Sequence, residues 1–324
     1  MIKTKVTEML GTKYPIVTGT MANISNPEFV AACAEAGACA VLASANYKTP
    51  DELRDAIKKT QSLTNRPFAV NINLFPSLMP QEKLGEYVDA TLDTGVKIIE
   101  TSGHKAPAQL VPKFKEGGAT WIHKCAGVRY AKTGAKLGAD LITVVGYENG
   151  GATGILDIGT LVMTPSVVDA LDIPVIAGGG IADGRGIAAA LALGAEGVII
   201  GTRMMATQEC PIHDNLKHAL CEATETDTTI AMRTIRNTHR FWKNKAAEKV
   251  LELESQKAPL QDIIQVASGE NARKMYYEGD LDVGIVACGQ SVGLVKDIPT
   301  VKELLDRIMK EAEEVIQRLN TTFQ

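Results

Sequence analysis

Two glycine-rich strings stand out as places where this chain could hold an anion. One is Ile176-Ala177-Gly178-Gly179-Gly180-Ile181-Ala182-Asp183-Gly184-Arg185-Gly186; the other, one strand and one helix later, is Gly201-Thr202-Arg203. Glycine lets backbone N–H groups close on phosphate oxygens, and a helix starting near Asp183 would add the partial positive charge of its N-terminus. Gly184-Arg185-Gly186-Ile187-Ala188-Ala189 also fits the dinucleotide pattern G-x-G-x-x-A. That run lies too far past its strand, and no acidic residue closes a second strand about 20 residues on, because Glu196 precedes its strand. Glycines serving only tight turns are the plainer alternative. Binding of phosphate, or of a phosphate-bearing cofactor, is the reading the two clusters favour.

Other reactive side chains point to less. His213 and His218 are five apart, which does not align two ligands on one helical face, and no acidic partner completes a set, so no metal is expected. The six cysteines include no C-x-x-C pair and read as reduced packing residues of a cytoplasmic protein. Arg233, Arg236, Arg240, Lys243 and Lys245 recur at helical spacings. They read as a solvated face, with attraction of a nicotinamide phosphate or an acidic carrier protein as the alternative.

The elements that must position these residues alternate. Short, nearly continuous apolar runs are expected as strands at Ile16–Gly19, Ala40–Ser44, Phe68–Leu74, Lys97–Ser102, Thr120–Cys125, Leu141–Gly146, Pro174–Gly178 and Gly197–Gly201. Helix starts fall between them, as in Asn26-Pro27-Glu28 and Thr49-Pro50-Asp51-Glu52, the latter with a capping-box glutamate. Eight strands alternating with helices suit an α/β fold, a (β/α)₈ barrel. The glycine clusters then follow strands 7 and 8, where such barrels place phosphate. The expected division is a barrel over 1–210, a smaller, mainly helical cap over 211–290, and a C-terminal helix in 291–324 packing back on the barrel. That helix carries Val301, Leu304, Leu305, Ile308, Ala312, Val315, Ile316 and Leu319 on one face. A net charge of −4 supplies no basic field for nucleic acid or membrane, and no 18-residue apolar run offers a span. No export signal is apparent at the N-terminus. A small-molecule substrate is expected, with a homodimer allowed.

The chain resembles the nitronate monooxygenase (2-nitropropane dioxygenase-like) family, which also holds flavin-type enoyl-acyl-carrier-protein reductases and NADH:quinone reductases. Beyond the two glycine clusters, the resemblance rests on Tyr14-Pro15-Ile16, Arg66-Pro67-Phe68-Ala69-Val70-Asn71, His123-Lys124-Cys125, Gly146-Tyr147-Glu148-Asn149-Gly150-Gly151, Glu209-Cys210-Pro211-Ile212-His213 and Gly289-Gln290. It is nearest the NADH:quinone reductase branch. It implies FMN at the C-terminal mouth of the barrel, with NAD(P)H as co-substrate. Thr20, Met21, Ala22, Asn73 and Lys124 would face the ring, and Gly151, Gly179, Gly180, Gly201 and Thr202 would hold the phosphate side. Lys124 is the expected cation near the flavin's N1 and O2, where negative charge gathers on reduction.

One departure bears on function. Relatives commonly carry histidine where this chain has Ala152, in Gly150-Gly151-Ala152. Alanine cannot move a proton, so removal of a proton from a neutral nitroalkane by that residue is excluded. Tyr147 and Glu148 are the candidate replacements, together with Thr153 and His104. Thr20 also stands where relatives often have glycine. Hydride transfer from a nicotinamide to flavin needs no enzymic base, so reduction of a quinone-like or conjugated acceptor is the expected function. Nitronate oxidation and enoyl-thioester reduction are the alternatives.

Overall fold

The structure is a computed structural model that describes residues 2–74, 81–103, 105–234 and 238–322. Eight short parallel strands form its centre: β1 (Ile16–Thr18), β2 (Ala40–Ala43), β3 (Phe68–Asn73), β4 (Ile98–Ser102), β5 (Thr120–Cys125), β6 (Leu141–Val145), β7 (Val175–Gly178) and β8 (Gly197–Ile200). Their lateral order is β1-β8-β7-β6-β5-β4-β3-β2. The ring closes between β1 and β2, where Thr18 N donates to Cys39 O at 3.0 Å and Cys39 N to Ile16 O at 2.8 Å. This is the expected (β/α)₈ barrel. Strands β4, β5 and β7 end where the sequence reading put them, and the other five end one residue earlier.

Alternation decides which side chains fill the barrel. Val17, Val41, Ala69, Ile98, Ile122, Leu141, Val145, Ile176 and Ile199 form one inner cluster, closed below by Val6 and Leu10 of α1 (Lys5–Leu10). The opposite faces meet the surrounding helices: α2 (Pro27–Glu35), α3 (Pro50–Leu63), α4 (Leu84–Asp93), α5 (Val111–Glu116), α6 (Val128–Leu137), α7 (Thr160–Val168) and α8 (Gly184–Ala192). Asn26 and Thr49 cap α2 and α3 ahead of their prolines, as read from sequence. Glu52, however, accepts from Lys48 N at 2.7 Å, so the expected capping box closes one residue earlier.

After β8 come α9 (Thr202–Met205), α10 (Asp214–Glu222), α11 (Lys245–Ser255), α12 (Leu260–Val266), α13 (Gly269–Glu278) and α14 (Val301–Thr322). The cap is not helices alone. Thr228–Ala231 and His239–Trp242 pair antiparallel, and the second strand also pairs with Gly151–Ala152. The cap sheet thus takes an edge from the loop after β6, across the boundary expected at residue 210. The basic cluster lies partly on this hairpin and not on one helical face: Arg240 is buried, Arg233 pairs with Asp157 and Lys245 with Asp282. Arg236 lies outside the described residues. α14 packs on α8, where a Cβ at Gly184 would come within 2.3 Å of Ala312 N. Its apolar face is buried through Ala312, and Leu319 runs out exposed. Among the described residues no helix is long and apolar enough to cross a membrane.

One residue behind the barrel carries a stability prediction. His123 is fully buried, with its Nδ1 2.9 Å from Thr101 Oγ1, which also accepts from Trp121 Nε1 at 2.8 Å. Its Nε2 has no partner among the described residues. Burial holds the imidazole down at about 4. The unfolded chain protonates this group near 6.5, so folding excludes a proton between those values. The contribution is whole above pH 6.5 and falls away as pH drops towards 4, by up to about 3 kcal/mol. Urea unfolding of wild type should therefore weaken more between pH 7 and 4 than that of His123→Leu. Parallel pH slopes for the two proteins would refute it.

Candidate active site

Thr20, Asn73, Lys124, Gly179, Gly180 and Gly201 end or follow barrel strands and so lie at one mouth, the C-terminal end of the barrel. Just inside it lies a polar layer centred on Glu100, which is completely buried. Its Oε1 accepts from Thr20 Oγ1 at 2.6 Å, from Asn71 Nδ2 at 2.7 Å and from Lys124 Nζ at 3.1 Å. Asn71 Nδ2 also reaches Ser102 Oγ at 3.1 Å. The other carboxylate oxygen has no partner among the described residues, nor has Thr143 Oγ1 on β6. The Lys124 side chain keeps 19% of its surface exposed, so its charge is anchored below and presented above. Glu100 was missed in the sequence. The available signal was a lone acid in Ile98-Ile99-Glu100, a strand otherwise expected to be buried.

The side expected to hold phosphate is built from turns. Gly179 and Gly180 take φ of 98° and 76°, conformations that favour glycine. A Cβ at Gly179 would lie 2.8 Å from Thr160 Oγ1, so the turn is also packed from behind. Among the described residues no acceptor is bonded to the amides of Gly179 or Gly180. At the end of the neighbouring strand, a Cβ built on Gly201 meets nothing within 4 Å. Open space beside glycine amides without acceptors fits a phosphate group. The sequence expectation needs one correction. The start of α8 is not available to an anion, because Asp183 accepts from Arg185 N and Gly186 N at 3.0 and 3.3 Å, and Glu311 accepts from Gly184 N at 3.1 Å. Any phosphate would rest on the glycine turns. Arg203 does not face them either: it is buried against Asp297 at 2.6 Å, tying α9 to the segment before α14.

A strap from the cap seals this side. Gly289 N donates to Thr202 Oγ1 and Gln290 N to Glu148 O, each at 2.9 Å. A Cβ on Gly150 would lie 2.6 Å from Gly289 N, so the glycines let two chain segments touch.

The remaining candidates are placed as follows. Thr20 turns its hydroxyl down to Glu100, while Met21 is half-buried and Ala22 exposed at the rim. Asn73 ends β3, level with Ser102. Gly151 (φ 76°) starts the edge strand of the cap sheet. Glu148 accepts from Thr160 N at 2.9 Å and from Thr160 Oγ1 at 2.9 Å, which commits its carboxylate to the start of α7. The Tyr147 ring carries the Arg240 guanidinium 4.6 Å from its centroid, and its hydroxyl lies by Arg233. Thr153 is buried, its amide bonded to Thr238 O at 3.2 Å. His104 lies outside the described residues. Directly across from Ala152 in the cap sheet stands His239, stacked on Phe241 with ring centroids 5.8 Å apart. Opposed residues on antiparallel strands share a face, so the fold returns an imidazole to the neighbourhood of Ala152. Only strand register reveals this neighbour. His213 is a helix cap, its Nδ1 accepting from Asn215 N at 3.1 Å, and no metal-binding group of side chains occurs among the described residues.

The family model for nitronate monooxygenase matches residues 3–311. The chain belongs to the nitronate monooxygenase family. It is 35% identical to (3aS,4S,5R,7aS)-5-hydroxy-7a-methyl-1-oxo-octahydro-1H-indene-4-carboxyl-CoA dehydrogenase of Rhodococcus jostii, over 98% of both chains. Among solved structures, FabK from Thermotoga maritima matches with a TM-score of 0.91 and 33% identity, covering 99% of this chain and 100% of that one. A nitroalkane oxidase from Streptomyces ansochromogenes matches with a TM-score of 0.84 and 25% identity, covering 97% and 99%. The family is one of flavin oxidoreductases, and this chain is one of its members.

Proposed function

We propose that this protein is an FMN-dependent oxidoreductase that reduces a conjugated carbonyl compound, foremost an α,β-unsaturated acyl thioester, with NAD(P)H as electron source. The observation that carries the reading is a cation anchored at the same end of the barrel as the glycine turns: Lys124 is held by Glu100 at 3.1 Å. Bound FMN would supply hydride exchange between nicotinamide and acceptor. Lys124 stabilises negative charge at the mouth, whether on the cofactor ring or on a substrate carbonyl oxygen. Gly179, Gly180, Gly201 and Thr202 hold the phosphate tail. Hydride addition to a conjugated acceptor leaves a carbon that needs a proton. Glu148 and Ala152 do not offer one, and we assign that role to His239, opposite Ala152 in the cap sheet.

The preference for a thioester is supported by the CoA-linked relative at 35% identity and by the FabK structure. A cleft of about 530 Å³ lies outside the mouth between the loops after β1 and β2, α3 and α13, lined by Asn23, Tyr47, Glu52, Asp55, Arg273 and Tyr277, and has room for part of a long substrate arm. The quinone-like acceptor expected from the sequence shares the Lys124 argument but has no such relative beside it. Nitronate oxidation is the second reading, favoured by the family model and the nitroalkane oxidase structure. With Ala152 in place it is confined to ready-made nitronates.

Anaerobic mixing tests the proposal. NADH or NADPH should bleach the 450-nm band of the purified yellow protein, and crotonyl-CoA should restore it faster than a benzoquinone does. A band that no nicotinamide bleaches, together with oxygen uptake on adding a nitronate, would replace this reading by the second one.

A further inference from the structure

Glu100 is completely buried just inside the barrel mouth, where a carboxylate is costly unless it is paired and hydrogen-bonded. Buried carboxylate oxygens are as a rule hydrogen-bonded, and an exception calls for a reason. Here three donors converge on Oε1, one of them the Lys124 ammonium, and Oε2 has no partner among the described residues. A buried ion pair of this kind is weak evidence for stability, because an apolar replacement is often as stable. Its placement suits a different task. Thr20 belongs to the rim loop and Lys124 to the mouth, and both are tied to the same buried oxygen.

We propose that Glu100 is a positioning residue that fixes Lys124 at the mouth and offsets its charge, and so sets the reduction potential of the bound flavin. This rests on the flavin reading above. An uncompensated cation near the ring would favour the reduced, more negative form of the cofactor. With the Glu100 carboxylate paired behind it, the cation is offset, and the cofactor stays easier to reoxidise by a conjugated acceptor. Asn71 and Thr20 hold the carboxylate oxygen in line while this balance is kept.

The test is the midpoint potential of the FMN holoprotein, measured by anaerobic spectroelectrochemistry, for wild type, Glu100→Gln, Lys124→Met and the double variant. Gln keeps the shape and an acceptor oxygen for Lys124 but removes the charge. Glu100→Gln should favour the reduced form at least tenfold, a rise of about 30 mV for a two-electron couple. Lys124→Met should shift it in the opposite direction, and the double variant should return to within about threefold of wild type. Coincident potentials for wild type and Glu100→Gln, with FMN bound in both, would overturn the proposal. Should Glu100→Gln fail to retain FMN, Lys124→Met decides: a lowered potential supports the assignment and an unchanged one overturns it. Wild-type protein that neither carries nor takes up FMN would instead bring down the flavin reading itself.

Discussion

Gly201→Val should give a folded protein that no longer retains FMN. The expectation rests on an asymmetry between the glycines of the cradle. At Gly179 and Gly180 a side chain meets a left-handed backbone, so loss of cofactor there would be confounded with a distorted turn. Gly201 has φ −108° and ψ −74°, open to any residue, and its added Cβ meets no atom within 4 Å. The larger side chain therefore costs the empty protein little, within about 0.5 kcal/mol. It would project instead into the space assigned to the phosphate. Loss of a phosphate seat should weaken FMN at least 100-fold, which corresponds to about 2.8 kcal/mol of binding energy. Colourless protein with an unaltered urea midpoint after removal of bound FMN is the expected result. Retention of stoichiometric FMN would move the cradle elsewhere.

How far the sequence could be read depends on the distance over which each feature is encoded. The eight barrel strands were legible because strands buried on both faces must be apolar without interruption, a local property. The caps of α2 and α3 were legible for the same reason, each lying within four residues. The turn at Gly179 and Gly180 was legible because left-handed turns at a strand end favour glycine. What escaped was pairing between distant segments. Arg240 sits in a run with helical charge spacing, yet His239–Trp242 is a strand, because its partners, Thr228–Ala231 and Gly151–Ala152, lie elsewhere in the chain. Glu148 looked like an acid at the mouth, and only the approach of Thr160, twelve residues on, commits it to a helix start. Glu100 is intelligible only once β1, β3 and β5 bring Thr20, Asn71 and Lys124 to it.

The same long-range pairing gives the second large prediction, that Arg240→Met loosens the cap from the barrel and the cradle with it. Arg240 is 3% exposed and has no carboxylate partner among the described residues. Its Nε and Nη2 donate to Tyr147 O at 3.2 and 3.0 Å, and Nη1 donates to Thr228 Oγ1 at 3.0 Å. One guanidinium thus joins the cap hairpin to the turn after β6, which also seats Gly289 and Gln290. Methionine fills similar space but leaves the Tyr147 carbonyl without its donors. Hydrogen bonds from a charged group contribute about 1.5–3 kcal/mol each, offset in part by the cost of burying the cation. A net loss of about 2–4 kcal/mol in urea unfolding is expected, with faster release of FMN because Gly151 and the strap lose their common anchor. Arg240→Lys should recover only part of this, since an ammonium cannot hold two bonds to one carbonyl and a third to Thr228 in the same plane. If Arg240→Met matched wild type in both unfolding and FMN release, the cap would be held by its apolar contacts alone, and the guanidinium would have no part in keeping the cradle closed.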